Sequence, residues 1–179
     1  SKDEGVRADT TAETLAGLRP AFAKEGTITA GNASPLSDGA AAVIVTSRAY
    51  AEEKGLQILA TVGAPGQTAG PKDSQLHSQP SDAIKAALST QGLEVKDLDF
   101  IEINEAFAAV SLQSLKDLDY SAEHCNVNGG AIALGHPIGA SGARLALTAA
   151  QELNRRGSGR AAVALCGGGG QGEALVLFR

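Results

Sequence analysis

The glycine-rich run NVNGGAIALGHPIGASGAR, residues 126–144, constrains the fold of this chain more than any other stretch. Its glycines and its proline interrupt the periods of helix and strand, so most of the run is predicted to be neither. Ile132, Leu134 and Ile138 are expected to be buried, which argues against a flexible linker. The run is therefore predicted to be packed, irregular backbone around one titratable side chain, His136. The flanking glycine and proline fix the backbone of this histidine and let a neighbouring group or ligand come close.

Helices and short apolar strands alternate around this run, which is typical of an α/β layer architecture. Residues 63–80, rich in glycine and proline, are predicted to be a linker at a domain junction. Ser81 is predicted to cap the helix that follows it. The predicted helices are 50–54, 81–91, 105–118 and 141–156, after a partly helical segment at 11–24. The predicted strands are 40–45, 57–62, 98–103, 161–166 and 173–178.

Charge and cysteine content exclude several classes of protein. The formal net charge of −5 argues against nucleic acid as the main partner. No apolar run approaches the roughly 18 residues of a membrane span, and the first residues contain no signal-peptide core. The two cysteines, Cys125 and Cys166, are too few for a disulfide scaffold. A reduced, cytoplasmic setting is the simplest interpretation.

Several motifs need a functional and a structural interpretation side by side. Gly167, Gly169 and Gly172 match a dinucleotide-binding spacing, but a strand rather than a helix is predicted to follow, so a glycine hairpin is favoured. Its backbone N–H groups are suited to binding a developing negative charge. Cys166, at the end of a predicted strand, is either a core cysteine or a catalyst. Asn104, between a strand and a helix, is either a helix cap or a site residue.

Three further interpretations have little support. His124, Cys125, His136 and Cys166 lack the paired spacing of zinc sites. Ser141 lies in GASG and not in the G-x-S-x-G nucleophile elbow of serine hydrolases. Cys125 is expected to be a core residue, and His77 and His124 are expected at the surface.

Three segments together resemble signature blocks of the thiolase family. They are NEAFA at 104–108, the run at 126–144 and CGGGGQG at 166–172. A fourth, AGNASPLSDGAAA at 30–42, is similar to the coenzyme A-binding region of the same enzymes. The resemblance implies a thiolase-like α/β fold, with a C-terminal βαβαβαββ core domain whose helices pack on a mixed sheet. It also implies acyl transfer between 3-ketoacyl-CoA or acetyl-CoA and coenzyme A through a cysteine acyl-enzyme.

The resemblance assigns roles to single residues. His136 would activate the nucleophilic cysteine and help to hold the thioester oxygen of the second acyl-CoA. Asn104 would position a water that completes this oxyanion hole, and Cys166 would move a proton at the α-carbon. The N–H of Gly168 would serve a second oxyanion hole, and Ser34 would contact the pantetheine arm. Coenzyme A is a substrate here, and no metal or prosthetic group is implied.

The nucleophilic cysteine of thiolases belongs to an N-terminal half that the resemblance does not cover. The resemblance implies that residues 1–26 end the loop domain, residues 27–60 are a remnant of the N-terminal core domain, and residues 61–179 are the C-terminal domain. The chain would then be a fragment or one chain of a split thiolase, inactive alone, whose other half is a partner. Thiolases are dimers or tetramers, so a homo-oligomer is expected. A non-catalytic, coenzyme A-binding subunit with a thiolase fold is the alternative.

Overall fold

The secondary structure alternates between helices and strands in most of the chain. The computed structural model describes residues 5–70 and 76–179. The strands are β1 (Thr61–Ala69), β2 (Phe100–Ile103), β3 (Arg160–Gly167) and β4 (Gln171–Phe178). The helices are α1 (Ala12–Ala16), α2 (Arg48–Glu53), α3 (Gln79–Ser89), α4 (Ala108–Leu118), α5 (Ala131–Leu134) and α6 (Ser141–Arg156).

The strands form one mixed, four-stranded sheet in the order β1-β4-β3-β2. β2 and β3 are parallel, whereas β4 is antiparallel to both of its neighbours. Buried side chains of α3 and α4 pack on one face of the sheet with Ile101 and Ile103. Leu145, Ala149 and Leu153 of α6 pack on the other face with Phe100. The predicted α/β class with helices on a mixed sheet is confirmed.

The βαβαβαββ pattern contains one strand more than the described residues form. Between α4 and α6, where that strand was expected, the chain makes a turn of 3-10 helix at Ala122–His124. A single parallel bridge then joins Cys125 to Ile101 of β2. The side chain of Asn126 takes over the pairing with β2: its Oδ1 accepts from the N–H of Ile103, and its Nδ2 donates to the carbonyl of Ile103. The side chain of Asn126 therefore takes the place of a neighbouring strand beside the C-terminal end of β2.

Three predictions in the first half of the chain were wrong. The strand predicted at 57–62 is displaced to Thr61–Ala69, so only its last two residues overlap. Residues 40–45 form no strand, and Ile44 and Val45 are 91% and 74% exposed. The predicted linker at 63–80 contains most of β1 and the start of α3, while 71–75 lie outside the described residues. The two glycines and the one proline of β1 are tolerated because it is an edge strand of the sheet. Gly66 also lets the strand pass close to α3, where a Cβ would clash with the backbone of Ala83.

Helix boundaries follow capping and packing. The prediction for α6 is confirmed: it ends at Gly157, whose φ of 84° is left-handed, after Arg155 and Arg156. α3 begins two residues before Ser81, which lies inside the helix and does not cap it. In the described ranges, no helix is both long and apolar enough to cross a membrane.

Candidate functional site

Asn104 lies where β2 ends, with its side chain fully buried. Its N–H donates to the carbonyl of Ala164 on the neighbouring strand β3, at 2.9 Å. The residue that precedes α4 as its N-cap is Phe107. The helix-cap interpretation of Asn104 was therefore wrong, and its polar side chain serves other partners.

His136 follows the one-turn helix α5 and is partly buried. Gly135 before it has φ of 102°, and the side chain of Ser37 occupies the space that a Cβ would need there. The N–H of His136 donates to the carbonyl of Pro35 at 3.4 Å. The close approach predicted for the Gly-His-Pro sequence is thus made by the segment 35–37. The expected burial of Leu134 and Ile138 was wrong, since they are 46% and 74% exposed.

A buried serine fixes the imidazole of His136. Nδ1 of His136 lies 2.7 Å from Oγ of Ser141, and this hydroxyl donates to the carbonyl of Pro137 at 3.1 Å. We assign the hydroxyl proton to the bond with Pro137, so that Nδ1 carries the ring proton and donates to Ser141. Nε2 is left as the unprotonated acceptor, and Nδ2 of Asn104 lies 3.3 Å from it. The same Nδ2 is 3.4 Å from Nδ1, but Nδ1 already has the shorter bond to Ser141.

Arg144 completes a directed chain of hydrogen bonds. One terminal nitrogen of its guanidinium donates to Oδ1 of Asn104 at 3.4 Å. This contact fixes which end of the carboxamide faces the histidine. Donation then runs from Arg144 to Asn104, from Asn104 to His136, and from His136 to Ser141. Burial, and secondly the charge of Arg144, lower the pKa of His136, so the imidazole is neutral at pH 7.

The carboxylate of Glu105 holds the glycine-rich run in place through hydrogen bonds. It accepts from the N–H of Ile132 at 3.0 Å and from Nδ2 of Asn126 at 2.9 Å. It lies directly against Gly130, where a Cβ would clash with the carboxylate. The resemblance did not assign a role to Glu105, Ser141 or Arg144. Only their positions in the NEAFA and GHPIGASGAR segments pointed to them.

Segment 32–37 packs against both the NEAFA segment at 104–108 and the Gly-His-Pro sequence around His136. Both the N–H and the hydroxyl of Ser34 donate to the carbonyl of Ala106, at 3.1 Å each. Ala33 bridges Phe107, and Leu36 bridges His136. An open groove of about 360 Å³ lies beside the imidazole, between this segment and Ile138. The imidazole of His136 is therefore accessible from the groove, while its ring nitrogens contact the buried side chains of Ser141 and Asn104.

Cys166 and Gly168 lie at the same edge of the sheet as Asn104. Cys166 is near the end of β3, two residues beyond the carbonyl of Ala164 that binds Asn104. Its thiol is partly buried, and burial raises its pKa. Gly168 is exposed in the turn between β3 and β4, which confirms the predicted glycine hairpin. Within the described ranges, no hydrogen bond joins Cys166 to His136 or Asn104.

The second cysteine, Cys125, is partly buried and packs against the same core cluster as Cys166, on the α3 and α4 face. Burial, and secondly the charge of Glu102, raise its pKa to about 12. A thiol with this pKa is not a nucleophile at neutral pH. The prediction that Cys125 is a core residue is confirmed.

Sequence comparisons identify the family of these motifs. The sequence model of the thiolase C-terminal domain matches residues 56–179, and that of the N-terminal domain matches residues 1–49. The probable acetyl-CoA acetyltransferase of Mycolicibacterium smegmatis is 66% identical over 179 residues, which are 100% of this chain and 46% of that protein. The acetyl-CoA acetyltransferase of Pseudomonas aeruginosa is 51% identical over 99% of this chain and 45% of its own length.

Solved structures agree with this result. Human mitochondrial 3-ketoacyl-CoA thiolase in complex with CoA matches with a TM-score of 0.92 and 44% identity, over 98% of this chain and 44% of that one. The acetyl-CoA acetyltransferase of Bacillus anthracis matches with a TM-score of 0.93 and 46% identity, over 99% and 45%. The chain spans less than half the length of each of these proteins. With its asparagine, histidine and glycine-hairpin motifs gathered at one edge of a thiolase-like sheet, the chain belongs to the thiolase family.

Proposed function

We propose that this chain is the C-terminal part of an acyltransferase that exchanges acyl groups between 3-ketoacyl-CoA or acetyl-CoA and coenzyme A. The observation that carries the proposal is the directed hydrogen-bond chain through Asn104 and His136. It leaves Nε2 of a neutral imidazole unprotonated, with a carboxamide donor beside it. A neutral imidazole can remove a proton from a thiol near pH 7.

His136 is proposed to act first on the nucleophilic cysteine. Nε2 takes the thiol proton in place of its bond from Asn104, whose Nδ2 then donates to the positioned water, and the thiolate attacks the 3-keto carbon of the substrate. Breaking the bond between the α- and β-carbons then leaves an acyl-enzyme and the enolate of acetyl-CoA. The imidazolium formed on His136 and the donor of Asn104, through a positioned water, stabilise the enolate oxygen. Arg144 keeps the carboxamide nitrogen of Asn104 turned toward this site.

Cys166 is proposed to supply the proton that converts the enolate into acetyl-CoA. The raised pKa of its thiol supports this assignment, since the group is protonated at neutral pH when the enolate forms. The resulting thiolate takes the proton of the coenzyme A thiol, which attacks the acyl-enzyme and releases acyl-CoA. The departing cysteine thiolate takes back the proton held by His136. The exposed N–H of Gly168 is proposed to stabilise the oxyanion of that second step.

Coenzyme A is proposed to reach these groups along the groove beside His136. The human relative bound to CoA supports this choice of ligand. Ser34 is proposed to contact the pantetheine arm. Since its hydroxyl proton is used by Ala106, Ser34 offers a lone pair to an amide N–H of that arm.

The nucleophilic cysteine is proposed to come from the thiolase half that this chain does not cover. The match to less than half of each relative supports this. So does the exposure of Ile44 and Val45, in the region that the N-terminal domain model covers. We retain residues 1–26, 27–60 and 61–179 as the proposed end of the loop domain, core remnant and C-terminal domain. Homo-oligomeric assembly and a cytoplasmic location are also proposed.

The test is a thiolysis assay with acetoacetyl-CoA and coenzyme A. The chain alone is expected to be inactive. It should gain activity when combined with the part of the Mycolicibacterium smegmatis relative that it does not cover. Activity of the chain alone would contradict the missing-nucleophile proposal. Coenzyme A binding without turnover in the assembled protein would instead favour the non-catalytic subunit.

A matched pair of histidine variants tests the role of His136. His136→Ala in the assembled protein is expected to lower kcat about 100-fold or more. His124→Ala, at an exposed histidine outside the groove, should leave kcat unchanged. Equal activity of the two variants would show that His136 has a structural role.

A further inference from the structure

Glu102 is a carboxyl group buried without hydrogen bonds. It lies in the middle of β2 and is 0% exposed. Among the described residues, no donor meets either carboxyl oxygen in hydrogen-bonding geometry. The backbone N–H of Val127 faces the carboxyl but does not reach that geometry. Buried polar groups are almost always paired, so this carboxyl needs an explanation.

Arg144 presents the complementary group on the same face of the sheet. Successive side chains of β2 point to opposite faces of the sheet. Ile101 and Ile103 lie on the face covered by α3 and α4, so Glu102 lies on the face covered by α6. Arg144 is in the first turns of α6, and its Nε is also buried without a partner in the described structure. The two charges attract each other. The other end of the same guanidinium holds Oδ1 of Asn104.

We propose that Glu102 is a positioning residue for Asn104, acting through Arg144. Its carboxylate is the counter-ion that keeps the guanidinium against the sheet. Arg144 then holds the carboxamide oxygen of Asn104 and directs its nitrogen at Nε2 of His136. This inference rests on the proposed function, because it explains how the oxyanion donor is oriented for that reaction.

Glu152 shows the hydrogen bonds that a carboxylate with a purely structural role makes on this face of the sheet. It belongs to α6, as Arg144 does, and accepts from Arg155, Arg156 and Asn128. Its lone pairs are occupied, and it secures the end of the helix to the glycine-rich run. Glu102 has none of these bonds, and a buried carboxyl without them destabilises a fold. Its position beside the partner of Asn104 accounts for its presence.

The charge of Glu102 is sensitive to its surroundings. Burial is the main influence, and it raises the pKa of Glu102 to about 7. Arg144 of α6 opposes this shift, while Glu105 after β2 and Glu152 of α6 add to it. Cys125, on the loop that follows α4, is a further titratable neighbour of Glu102. Above pH 7 the carboxylate and Arg144 are both charged, which is the state that positions Asn104.

A double-mutant cycle in the assembled enzyme tests the inference. Glu102→Gln removes the charge but keeps the size, and Arg144→Gln removes its target. We expect each to lower kcat about 10-fold with KM for acetoacetyl-CoA changed less than twofold. The double variant should be no slower than Arg144→Gln alone. Effects that multiply, a wild-type kcat for Glu102→Gln, or an effect on KM alone would overturn the inference.

Two further measurements separate this inference from the proposed function. Glu152 belongs to α6, the helix that carries Arg144, and lies on the same face of the sheet as Glu102. Glu152→Gln should therefore keep kcat within about threefold, and a loss of kcat equal to that of Glu102→Gln would overturn the role of Glu102. Nitrogen-15 NMR of labelled histidine should show His136 mainly protonated on Nδ1, with the ratio of its tautomers falling at least threefold in Glu102→Gln. An unchanged ratio would overturn the inference even if the wild-type protein had no thiolysis activity. Absence of thiolysis with a changed ratio would instead refute only the proposed function.

Discussion

Replacing Glu102 with glutamine should stabilise the protein, and increasingly so as the pH rises from about 4.5 to about 7. Burial raises the pKa of Glu102 from 4.5 to about 7. Between these values the folded state binds more protons than the unfolded state. The free energy of unfolding of the wild-type protein therefore falls as the pH rises through this window. Glutamine is neutral throughout and does not carry this penalty.

The expected magnitude follows from the same shift. Each pKa unit corresponds to about 1.4 kcal/mol, so the interval from 4.5 to about 7 is worth about 3 kcal/mol. Glu102 is fully buried, so solvent screening does not reduce this value. The variant should match the wild type near pH 4.5 and exceed it by about 3 kcal/mol above pH 7. This is a large fraction of the stability of a typical domain.

Urea denaturation at pH values from 4.5 to 8 measures the difference. The slope with urea should be the same for both proteins, so that the midpoint reports stability. Glu152→Gln is the control, because it removes a carboxylate whose pKa is about 2. Burial opposes ionisation of Glu152, but hydrogen bonds from Arg156 and Arg155 outweigh it. This control should lose about 2 kcal/mol at pH 7. If the free energies of unfolding of Glu102→Gln and wild type stayed parallel when plotted against pH from 4.5 to 7, the reasoning would be refuted.

The remaining predictions concern the site and its supports. Gly130→Ala should lower stability by about 2–4 kcal/mol, since its Cβ would clash with Glu105, whereas Gly139→Ala, in open space, should change the thermal midpoint little. In the assembled protein, Ser141→Ala should lower kcat about 10-fold and alter the pH profile of kcat, because Nδ1 of His136 loses its partner. Cys166→Ser in the assembled protein should lower thiolysis by about 100-fold or more, and Cys125→Ala should retain it. Ile44→Lys should leave the stability of the chain unchanged but weaken its binding to the other thiolase half in a titration.

Elements with strong local signals could be predicted from the sequence. α6 combines an apolar stripe, terminal arginines and a glycine cap, and its predicted bounds were correct. The glycine hairpin between β3 and β4 was also predicted, since apolar strands flank it. β1 was predicted at 57–62 and not at Thr61–Ala69, because Gly63, Pro65 and Gly66 are typical of a turn. Those residues are acceptable only at the sheet edge that β1 occupies, which local sequence does not reveal.

The candidate site was predictable only in part for a similar reason. Motif residues such as Asn104 and His136 were identified from the resemblance, and the structure joins them by a hydrogen bond. The residues that support them were not: Ser141 follows His136 by five residues, and Arg144 lies 40 residues after Asn104. Arg144 was assigned no role, and Ser141 was considered only as a hydrolase nucleophile. Their roles depend on which face of α6 meets the end of β2, and this is set by tertiary packing.

Glu102 illustrates how a destabilising residue points to function. A glutamate between Ile101 and Ile103 contradicts the apolar pattern of a buried strand, and the structure gives its oxygens no hydrogen bond in the described ranges. Glutamine would make the fold more stable at neutral pH, because it carries no buried charge. Residues that conflict with local stability are expected where a site needs them. A charged group beside Arg144 is needed only if the orientation of Asn104 matters, so the gain in stability and the loss in kcat of Glu102→Gln should occur together.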